Sequence, residues 1–176
     1  MENRQDDISF FYTQMMAKEG WRFRYLWKSL IRCAVLYKGD VVIDISCGNG
    51  AFLRHLGQER GDVSLTGICD TLERARDAGK EAPNAEIMYA EPSDFPWLND
   101  SFNIAFCWDP EAVARDEEAA FRETYRVLKP GGQFICVDEG GVFSRKTRDK
   151  LKKAGFTHFH RLCLLWGPNL IVCWKS

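Results

Sequence analysis

The ten residues from Val41 to Gly50 constrain the fold of this 176-residue chain more than any other stretch. An apolar, β-branched run ends at Asp44, a turn of small residues follows, and an amphipathic helix begins at Ala51. This order predicts a buried parallel strand, a glycine-containing loop and a helix N-terminus. Because the first N–H groups of a helix are unpaired, and glycine lets a ligand approach the backbone, such a loop makes a site for a nucleotide-like ligand.

Beyond this stretch the chain alternates between strand-like and helix-like runs. The predicted strands are 41–45, 63–68, 85–90, 103–107, 132–138, 159–166 and 170–174. The predicted helices are 7–18, 21–36, 50–58, 71–80, 116–128 and 144–154. Alternation of this kind predicts an α/β fold, in which crossover helices join parallel strands into a doubly wound open sheet.

Local signals mark where elements end. Only residues 167–169 separate the last two predicted strands, which is too short for a crossover. These strands should therefore form an antiparallel hairpin at a sheet edge. Asp116 can cap the helix 116–128, and the Lys-Pro-Gly-Gly run at 129–132 is expected to end it.

Length and charge limit the classes of protein to which this chain can belong. Its 176 residues suit one domain over 1–176, with N-terminal helices over 1–38 and an α/β core over 39–176. A net charge of −1 gives no basic excess for a nucleic-acid partner. No apolar run approaches the roughly 18 residues of a membrane span, so we expect no membrane partner.

The seven cysteines indicate a reducing compartment. Their number is odd and no two are spaced as Cys-x-x-Cys, which argues against a disulfide framework and against structural zinc. The polar N-terminus shows no apolar leader segment, so we expect a cytoplasmic protein. Cys47, Cys69 and Cys107 end strands predicted to be neighbours, where a soft-metal site is one alternative. Buried cysteine more commonly serves as a small hydrophobe, so we expect no bound metal.

The spacing of the loop glycines separates two classes of cofactor. A dinucleotide fingerprint reads G-x-G-x-x-G, but here the third position is Leu53, which disfavours a dinucleotide. Gly48-x-Gly50 alone is also compatible with a helix-entry turn that binds no ligand. Segments further along the chain are needed to decide between these readings.

Four motifs together resemble those of the class I S-adenosylmethionine-dependent methyltransferases. Asp44–Gly50 resembles motif I of that family, whose usual pattern is D-x-G-C-G-x-G. Asp94–Trp97 followed by Asp100–Phe106 is similar to its "LPF…sFDvv" segment, Glu123–Gly132 to "E-x-x-RvLkpGG", and Ala154–Phe156 to "aGF". The resemblance covers about residues 40–174 in the family's order. It implies a seven-stranded, mostly parallel sheet with an antiparallel C-terminal hairpin.

The resemblance also implies the cofactor, S-adenosyl-L-methionine, and where it lies. The implied contacts follow the carboxyl ends of the first four strands: Asp44, Ser46, Cys47, Gly48, Asn49 and Gly50 around the methionine moiety, Cys69, Asp70 and Thr71 at the ribose, Glu91 and Pro92 at the adenine, and Cys107 and Trp108 beside the sulfonium.

Two departures from the family pattern concern the first two strands. Ser46 replaces the first motif glycine, and a side chain there is expected to alter the turn. Cys69 stands where the family has an acid that binds the ribose, with Asp70 one step on. Because adjacent strand residues point to opposite faces, Asp70 can serve only if the strand ends at Ile68. Without an acid, the ribose loses a charge-assisted hydrogen bond of roughly 1.5–3 kcal/mol.

Two further departures follow in the third and fourth strands. Glu91 keeps an acid at the adenine position but is longer than the usual aspartate, and Pro92 has no N–H to donate to the base. Asn103 replaces the usual aspartate at the start of the fourth strand. Each departure is compatible with a bound cofactor, but the four together weaken the prediction that the cofactor binds.

Methyl transfer is an in-line displacement that depends on positioning, and an acidic acceptor also needs a base. The acids that follow the fourth and fifth strands are Asp109, Glu111, Asp138 and Glu139, of which Asp109 is our first choice. The alternative is that Asp109 only forms a turn with the proline that follows. Trp108 either offers an aromatic face to a cation or packs in the core.

The sequence thus predicts a methyltransferase that acts on an unidentified, small-molecule acceptor. The alternative is a non-catalytic or retuned protein of the same fold that binds S-adenosylmethionine or S-adenosylhomocysteine, or serves as a scaffold. The aromatic-rich N-terminal helices, residues 10–27, either contact a protein partner or a second copy, or pack on the sheet.

Overall fold

The computed structural model describes residues 20–138, 145–165 and 168–176. Within these ranges no helix combines the length and apolar character needed to cross a membrane. The predicted helix 7–18 lies outside the described residues. The predicted helix 21–36 is found as helix α1, whose described part spans residues 20–33.

The described residues form one seven-stranded sheet with the spatial order β3-β2-β1-β4-β5-β7-β6. Strands β1 to β5 pair in parallel, whereas β7 runs antiparallel to both of its neighbours, β5 and β6. The predicted doubly wound, mostly parallel sheet with a C-terminal antiparallel hairpin is therefore confirmed. The strands are β1 (Val41–Asp44), β2 (Ser64–Cys69), β3 (Ala85–Tyr89), β4 (Phe102–Cys107), β5 (Leu128–Asp138), β6 (Thr157–Leu162) and β7 (Asn169–Trp174).

Helices connect the parallel strands as predicted. Asp116 caps α4, because its side chain accepts a hydrogen bond from the Ala119 N–H at 3.0 Å. A 3-10 helix also follows β4, and the sequence did not predict it because so short an element carries little periodicity. After α1 the helices are α2 (Ala51–Glu59), α3 (Leu72–Glu81), the 3-10 helix (Pro110–Asp116), α4 (Glu117–Val127) and α5 (Lys146–Ala154).

The helices cover both faces of the sheet with separate apolar layers. On one face, Val42 packs in a layer with Leu30 of α1 and Phe52 of α2. On the other face, Ile43 packs in a layer with Phe121 of α4. Val42 and Ile43 are neighbours that enter different layers, as the pleat of a strand requires. Since both faces are covered, the strand ends are where polar groups can gather.

The start of β5 differs from the prediction. The 129–132 run was expected to end the helix ahead of a strand that begins at residue 132, but β5 begins at Leu128 directly after α4. Leu128 already pairs with Phe102, and the pairing then shifts to Ile104 with Gln133. Residues 129–132 are therefore an irregularity inside a strand, which short-range turn signals cannot distinguish from a loop. β6 is shorter than predicted, since it ends before residue 163.

Candidate functional site

The loop that joins β1 to α2 turns on two glycines. Gly48 and Gly50 have φ values of 54° and 83°, a region where other side chains are strained. A Cβ on Gly50 would lie 2.7 Å from the Ala78 carbonyl oxygen, so this glycine also lets α3 approach the loop. Asn49 is exposed, and its Oδ1 accepts a hydrogen bond from the Ala51 N–H at 3.1 Å. The N-terminus of α2 is thereby held at the carboxyl edge of the sheet.

Asp44 ends β1 with a carboxylate that is fully buried. Its Oδ1 accepts hydrogen bonds from the Ser46 N–H at 2.9 Å and the Ser46 hydroxyl at 3.1 Å. Its Oδ2 accepts one from Trp108 Nε1 at 3.1 Å. Burial raises the pKa of Asp44 to about 7, although the donors on Ser46 and Trp108 favour the charged form and oppose the rise. The carboxylate can therefore gain or lose a proton near neutral pH.

Ser46 does not disturb the turn in the way the sequence suggested. Its φ is not positive, so the serine backbone avoids the left-handed region. Its hydroxyl accepts hydrogen bonds from the backbone N–H groups of Trp108 at 3.0 Å and Asp109 at 3.2 Å, while it donates to Asp44. The side chain that replaces glycine thus fastens the end of β4 to the end of β1.

Trp108 connects the glycine loop to α1. Its side chain is buried, and its ring meets those of Trp27 and Phe23 edge-on, with centroids 5.9 and 6.3 Å away. A Cβ on Gly48 would lie 3.6 Å from Trp108 Cζ2, so the indole lies against the loop. Trp27 is buried in this cluster, whereas Trp21 on the same helix is 57% exposed. Packing therefore accounts for Trp27, and a partner contact through exposed residues such as Trp21 stays a prediction.

The end of β2 bears on whether Cys69 or Asp70 occupies the predicted ribose position. β2 includes Cys69, so the condition that the strand end at Ile68 is not met. The Asp70 carboxylate accepts two hydrogen bonds from Arg74 Nη1, at 3.0 and 2.9 Å. Thr71 caps α3 by accepting a hydrogen bond from the Arg74 N–H at 3.2 Å. The (i, i+4) spacing of Asp70 and Arg74 is the sequence signal that predicts this ion pair.

Two of the three strand-end cysteines contact each other, and the third does not join them. The Sγ atoms of Cys47 and Cys69 lie 2.7 Å apart in the layer that faces α1 and α2. Cys107 is buried in the opposite layer, where burial raises the pKa of its thiol well above the usual value. The three thiols therefore do not form a soft-metal site. In the part of the chain that the structure describes, no three His, Cys, Asp or Glu side chains could together hold a metal ion.

The residues predicted to meet adenine lie at the end of β3. Glu91 is exposed, accepts a hydrogen bond from the Tyr89 hydroxyl and lies 3.9 Å from Arg115. Pro92 follows it at the surface with intermediate burial. This edge of the site therefore has a carboxylate that is already engaged by its own neighbours.

Asn103 does not belong to this site. Its Oδ1 accepts hydrogen bonds from the Val41 N–H at 3.0 Å and from Lys129 Nζ at 2.9 Å, at the amino ends of β1 and β4. It lines a cleft of about 340 Å³, together with Gln133 and Trp174, at the opposite edge of the sheet from the glycine loop. The interpretation of Asn103 as a residue around the cofactor pocket is therefore wrong.

The other predicted acids follow β4 and β5, and their surroundings differ. The buried Asp138 carboxylate is bound by Arg161 and by the Thr147 hydroxyl, the latter at 2.8 Å, so it is engaged by a cation. The Glu111 side chain and Glu139 lie outside the described parts of the structure. Asp109 is half-buried beside the loop and stays the predicted base.

Comparison with known proteins agrees with this architecture. The model of the methyltransferase-domain family matches residues 42–132. A demethylmenaquinone methyltransferase of Listeria welshimeri is 29% identical over 140 residues, which cover 76% of this chain and 59% of the relative. A ubiquinone/menaquinone biosynthesis C-methyltransferase of Klebsiella pneumoniae is 29% identical over 170 residues, which cover 87% of this chain and 65% of the relative. The chain thus spans less than two thirds of the length of these relatives.

A solved structure supports the fold independently. An S-adenosylmethionine-dependent methyltransferase from Thermotoga maritima superimposes with a TM-score of 0.76 over 96% of each chain, at 18% identity. The matched family segment begins in β1 and runs to the start of β5, so it contains the glycine loop and the end of β4. This chain belongs to the methyltransferase-domain family. The cofactor that this membership implies is S-adenosyl-L-methionine.

Proposed function

We propose that this chain binds S-adenosyl-L-methionine at the glycine loop and transfers its methyl group to a small-molecule acceptor. The observation that carries the proposal is the Asp44 network, because a buried carboxylate beside glycine backbone fits the cationic amino group of an amino-acid ligand. The bare backbone at Gly48 leaves room for a ligand to approach the loop, whereas Gly50 makes room for α3. When bound, the cofactor would supply an electrophilic methyl group.

Each side chain around the loop has a proposed role in that reaction. Asp44 holds the ligand's amino group, and Ser46 keeps the end of β4 at a fixed distance from it. Trp108 presents its ring where the cation would lie, which stabilises positive charge. Asp109 accepts a proton from the acceptor, because its position after β4 places it beside the loop. Most of the acceleration then comes from holding the two reactants in line.

The ribose side of the site is weaker than the methionine side. Cys69 offers only a thiol, which is a poor hydrogen-bond donor, and that thiol already donates to the Gly48 carbonyl at 3.4 Å. Asp70 is occupied by Arg74. The proposal therefore includes a modest affinity, in the micromolar range, for S-adenosylhomocysteine.

We propose a planar, aromatic acceptor of the quinone type. Phe23 and Trp27 pack edge-on around Trp108, and this cluster adjoins the glycine loop. Aromatic walls favour planar rings as ligands. The Listeria relative is named for demethylmenaquinone, which supports the same chemical class.

One set of observations favours a different function, a non-catalytic binding or scaffold protein of this fold. The ribose acid is replaced by Cys69, the nearest carboxylate is drawn to Arg74, and the Trp108 indole lies against Gly48. If these features exclude the cofactor, the glycine loop has only a structural role.

Calorimetric titration of the purified chain with S-adenosylhomocysteine separates the two functions. We expect micromolar binding, and we expect Gly48→Val to weaken it about tenfold or more, since the added side chain is strained and fills the loop. Gly131→Val is the matched control. Its glycine also has a positive φ, 78°, but lies at the other edge of the sheet with open space around it, so binding should be unchanged.

The outcomes are distinct. Binding that Gly48→Val abolishes and Gly131→Val preserves supports the cofactor site. A folded wild-type sample that gives no heat and no thermal shift with S-adenosylhomocysteine or S-adenosylmethionine supports the scaffold function. With binding established, incubation with methyl-labelled cofactor and reduced demethylated quinones tests the acceptor class by transfer of label.

A further inference from the structure

Cys47 and Cys69 form a close thiol pair beneath the glycine loop. Their Sγ atoms are 2.7 Å apart, and the Cys47 N–H donates to the Ile68 carbonyl at 3.1 Å, so the backbones on either side are also joined. Cys47 is fully buried and Cys69 is 3% exposed. The pair arises because this chain has a cysteine at the ribose position, next to the cysteine of the loop.

We propose that Cys47 and Cys69 form an intramolecular disulfide on mild oxidation, and that this cross-link weakens nucleoside binding at the loop. A disulfide bond is about 2.05 Å long, so the sulfur atoms need to approach by well under 1 Å. The bond would tie the glycine loop to the end of β2. The second half of the proposal rests on the proposed function, whereas the first half does not.

The reaction balances with a peroxide as the oxidant. One thiol attacks hydrogen peroxide and becomes a sulfenic acid, with release of one water. The sulfur of the second thiol then attacks the sulfenic sulfur, its proton leaves with the hydroxyl as a second water, and the S–S bond forms. Two electrons pass from the thiol pair to the peroxide.

The surroundings of the two thiols differ, so the two thiols have different roles in the oxidation. The hydrogen bond to Cys69, together with burial, raises the pKa of the Cys47 thiol, so Cys47 keeps its proton and acts second. Cys69 has the small exposed surface and reacts first. In the cross-link, Cys69 no longer donates its S–H to the Gly48 carbonyl and can offer no donor to a ribose hydroxyl.

Another cysteine pair provides an internal control. Cys107 and Cys136 are register partners on β4 and β5, and both are buried with raised thiol pKa values. Cys107 and Cys136 are each 1% exposed, so neither thiol has the access to solvent that Cys69 has at 3%. Oxidation should therefore cross-link the loop pair and leave this second pair reduced.

The test uses the full chain, reduced and then treated with hydrogen peroxide. We expect a loss of about 2 Da in the intact mass. We also expect a tryptic species joining residues 39–54 to 61–74, which contain Cys47 and Cys69. Cys69→Ser should abolish this species, and Cys163→Ser, which removes an exposed thiol, should preserve it. Calorimetry should show S-adenosylhomocysteine binding weakened about threefold to tenfold after oxidation and restored by a reductant.

Each result decides one part of the proposal. Oxidation of Cys69 to sulfinic acid without the cross-linked peptide would overturn the disulfide. A cross-link with unchanged affinity would overturn its effect on the site. If the reduced chain binds no S-adenosylhomocysteine, the proposed function fails while peptide mapping still decides the disulfide.

Discussion

At the carboxyl end of β1 a buried carboxylate receives three hydrogen bonds, whereas at the neighbouring end of β2 a thiol takes the corresponding place. Asp44 keeps the charge that the family motif calls for, and Ser46 adds donors around it. Cys69 has no charge, and Asp70 beside it is neutralised by Arg74. At the same edge of the sheet, β1 thus ends in the acid of the family motif, whereas β2 ends in a thiol.

The difference between the Asp44 carboxylate and the Cys69 thiol indicates which side of the site contributes more binding energy. A hydrogen bond to a charged group contributes roughly 1.5–3 kcal/mol, about twice that of a neutral pair. On this scale the methionine side of the site supplies more affinity than the ribose side. Substitutions at the two strand ends should therefore act in opposite directions, since one end has a charge to lose and the other has a charge to gain.

The largest effect is expected from Asp44→Ala. The substitution removes the proposed partner of the ligand's amino group. It also leaves the Trp108 indole and the Ser46 N–H without an acceptor, and each unsatisfied donor costs about 1–3 kcal/mol of folding stability. We expect S-adenosylhomocysteine affinity at pH 8 to fall about a hundredfold, measured by calorimetry. Asp44→Asn is the control for shape, because it keeps an acceptor for one of the donors. A loss of less than about threefold in Asp44→Ala would place the ligand away from β1.

Cys69→Asp should instead raise the affinity for S-adenosylhomocysteine. An aspartate at the end of β2 restores the acid at the ribose position, and a charge-assisted hydrogen bond of roughly 1.5–3 kcal/mol corresponds to about tenfold to a hundredfold tighter binding. Thermal stability of the unliganded variant should fall, since the new carboxylate is buried beside the Gly48 carbonyl.

Two matched variants tell whether charge is the cause of any gain. Cys69→Asn offers similar size without charge and should bind more weakly than Cys69→Asp. Asp70→Asn should leave affinity nearly unchanged, because Arg74 already holds that carboxylate. If Asp70→Asn weakens binding as strongly as Asp44→Ala, then Asp70 leaves Arg74 to reach the ribose, and the comparison of the two strand ends is wrong.

The sheet could be predicted because its signals are local. Apolar β-branched runs, turn residues and a short final linker specified all seven strands and the antiparallel hairpin. The start of β5 could not, because Leu128 joins the sheet only through its pairing with Phe102, a contact that no short window contains. Local patterns therefore predict elements better than their ends.

In the site, too, local sequence patterns predict individual residues but not the long-range contacts between them. Asp44 and the two glycines were evident from spacing alone. The Ser46 hydroxyl, however, accepts hydrogen bonds from the backbone of Trp108, 62 residues away. The Cys47–Cys69 contact joins residues 22 apart, one in the loop after β1 and one at the end of β2. Such contacts depend on register and side-chain direction. Asn103 was wrongly counted among the cofactor-site departures, because it lies at the start of β4, whereas ligands bind at the carboxyl ends of the strands in an open α/β sheet.

Another prediction concerns the pH dependence of folding stability and the buried carboxylate at the end of β1. Burial raises the pKa of Asp44 to about 7, whereas an aspartate in an unfolded chain has a pKa of about 3.9. Between these values the folded state holds a proton that the unfolded state has lost. The stability contributed by protonated Asp44 is therefore fully present below about pH 4 and declines as the pH rises to about 7. Chemical denaturation should show this decline in the wild type and not in Asp44→Asn.

Ligand binding should have the reverse pH dependence. If the ligand's amino group binds only ionised Asp44, the competent fraction rises about tenfold between pH 6 and pH 8, and the apparent affinity for S-adenosylhomocysteine rises with it. Asp44→Asn should bind weakly at both pH values, which separates this carboxylate from other groups that titrate. Equal affinity at pH 6 and pH 8 in the wild type would mean that the end of β1 contributes no charge to the ligand. The contrast between β1 and β2 would then be one of packing alone.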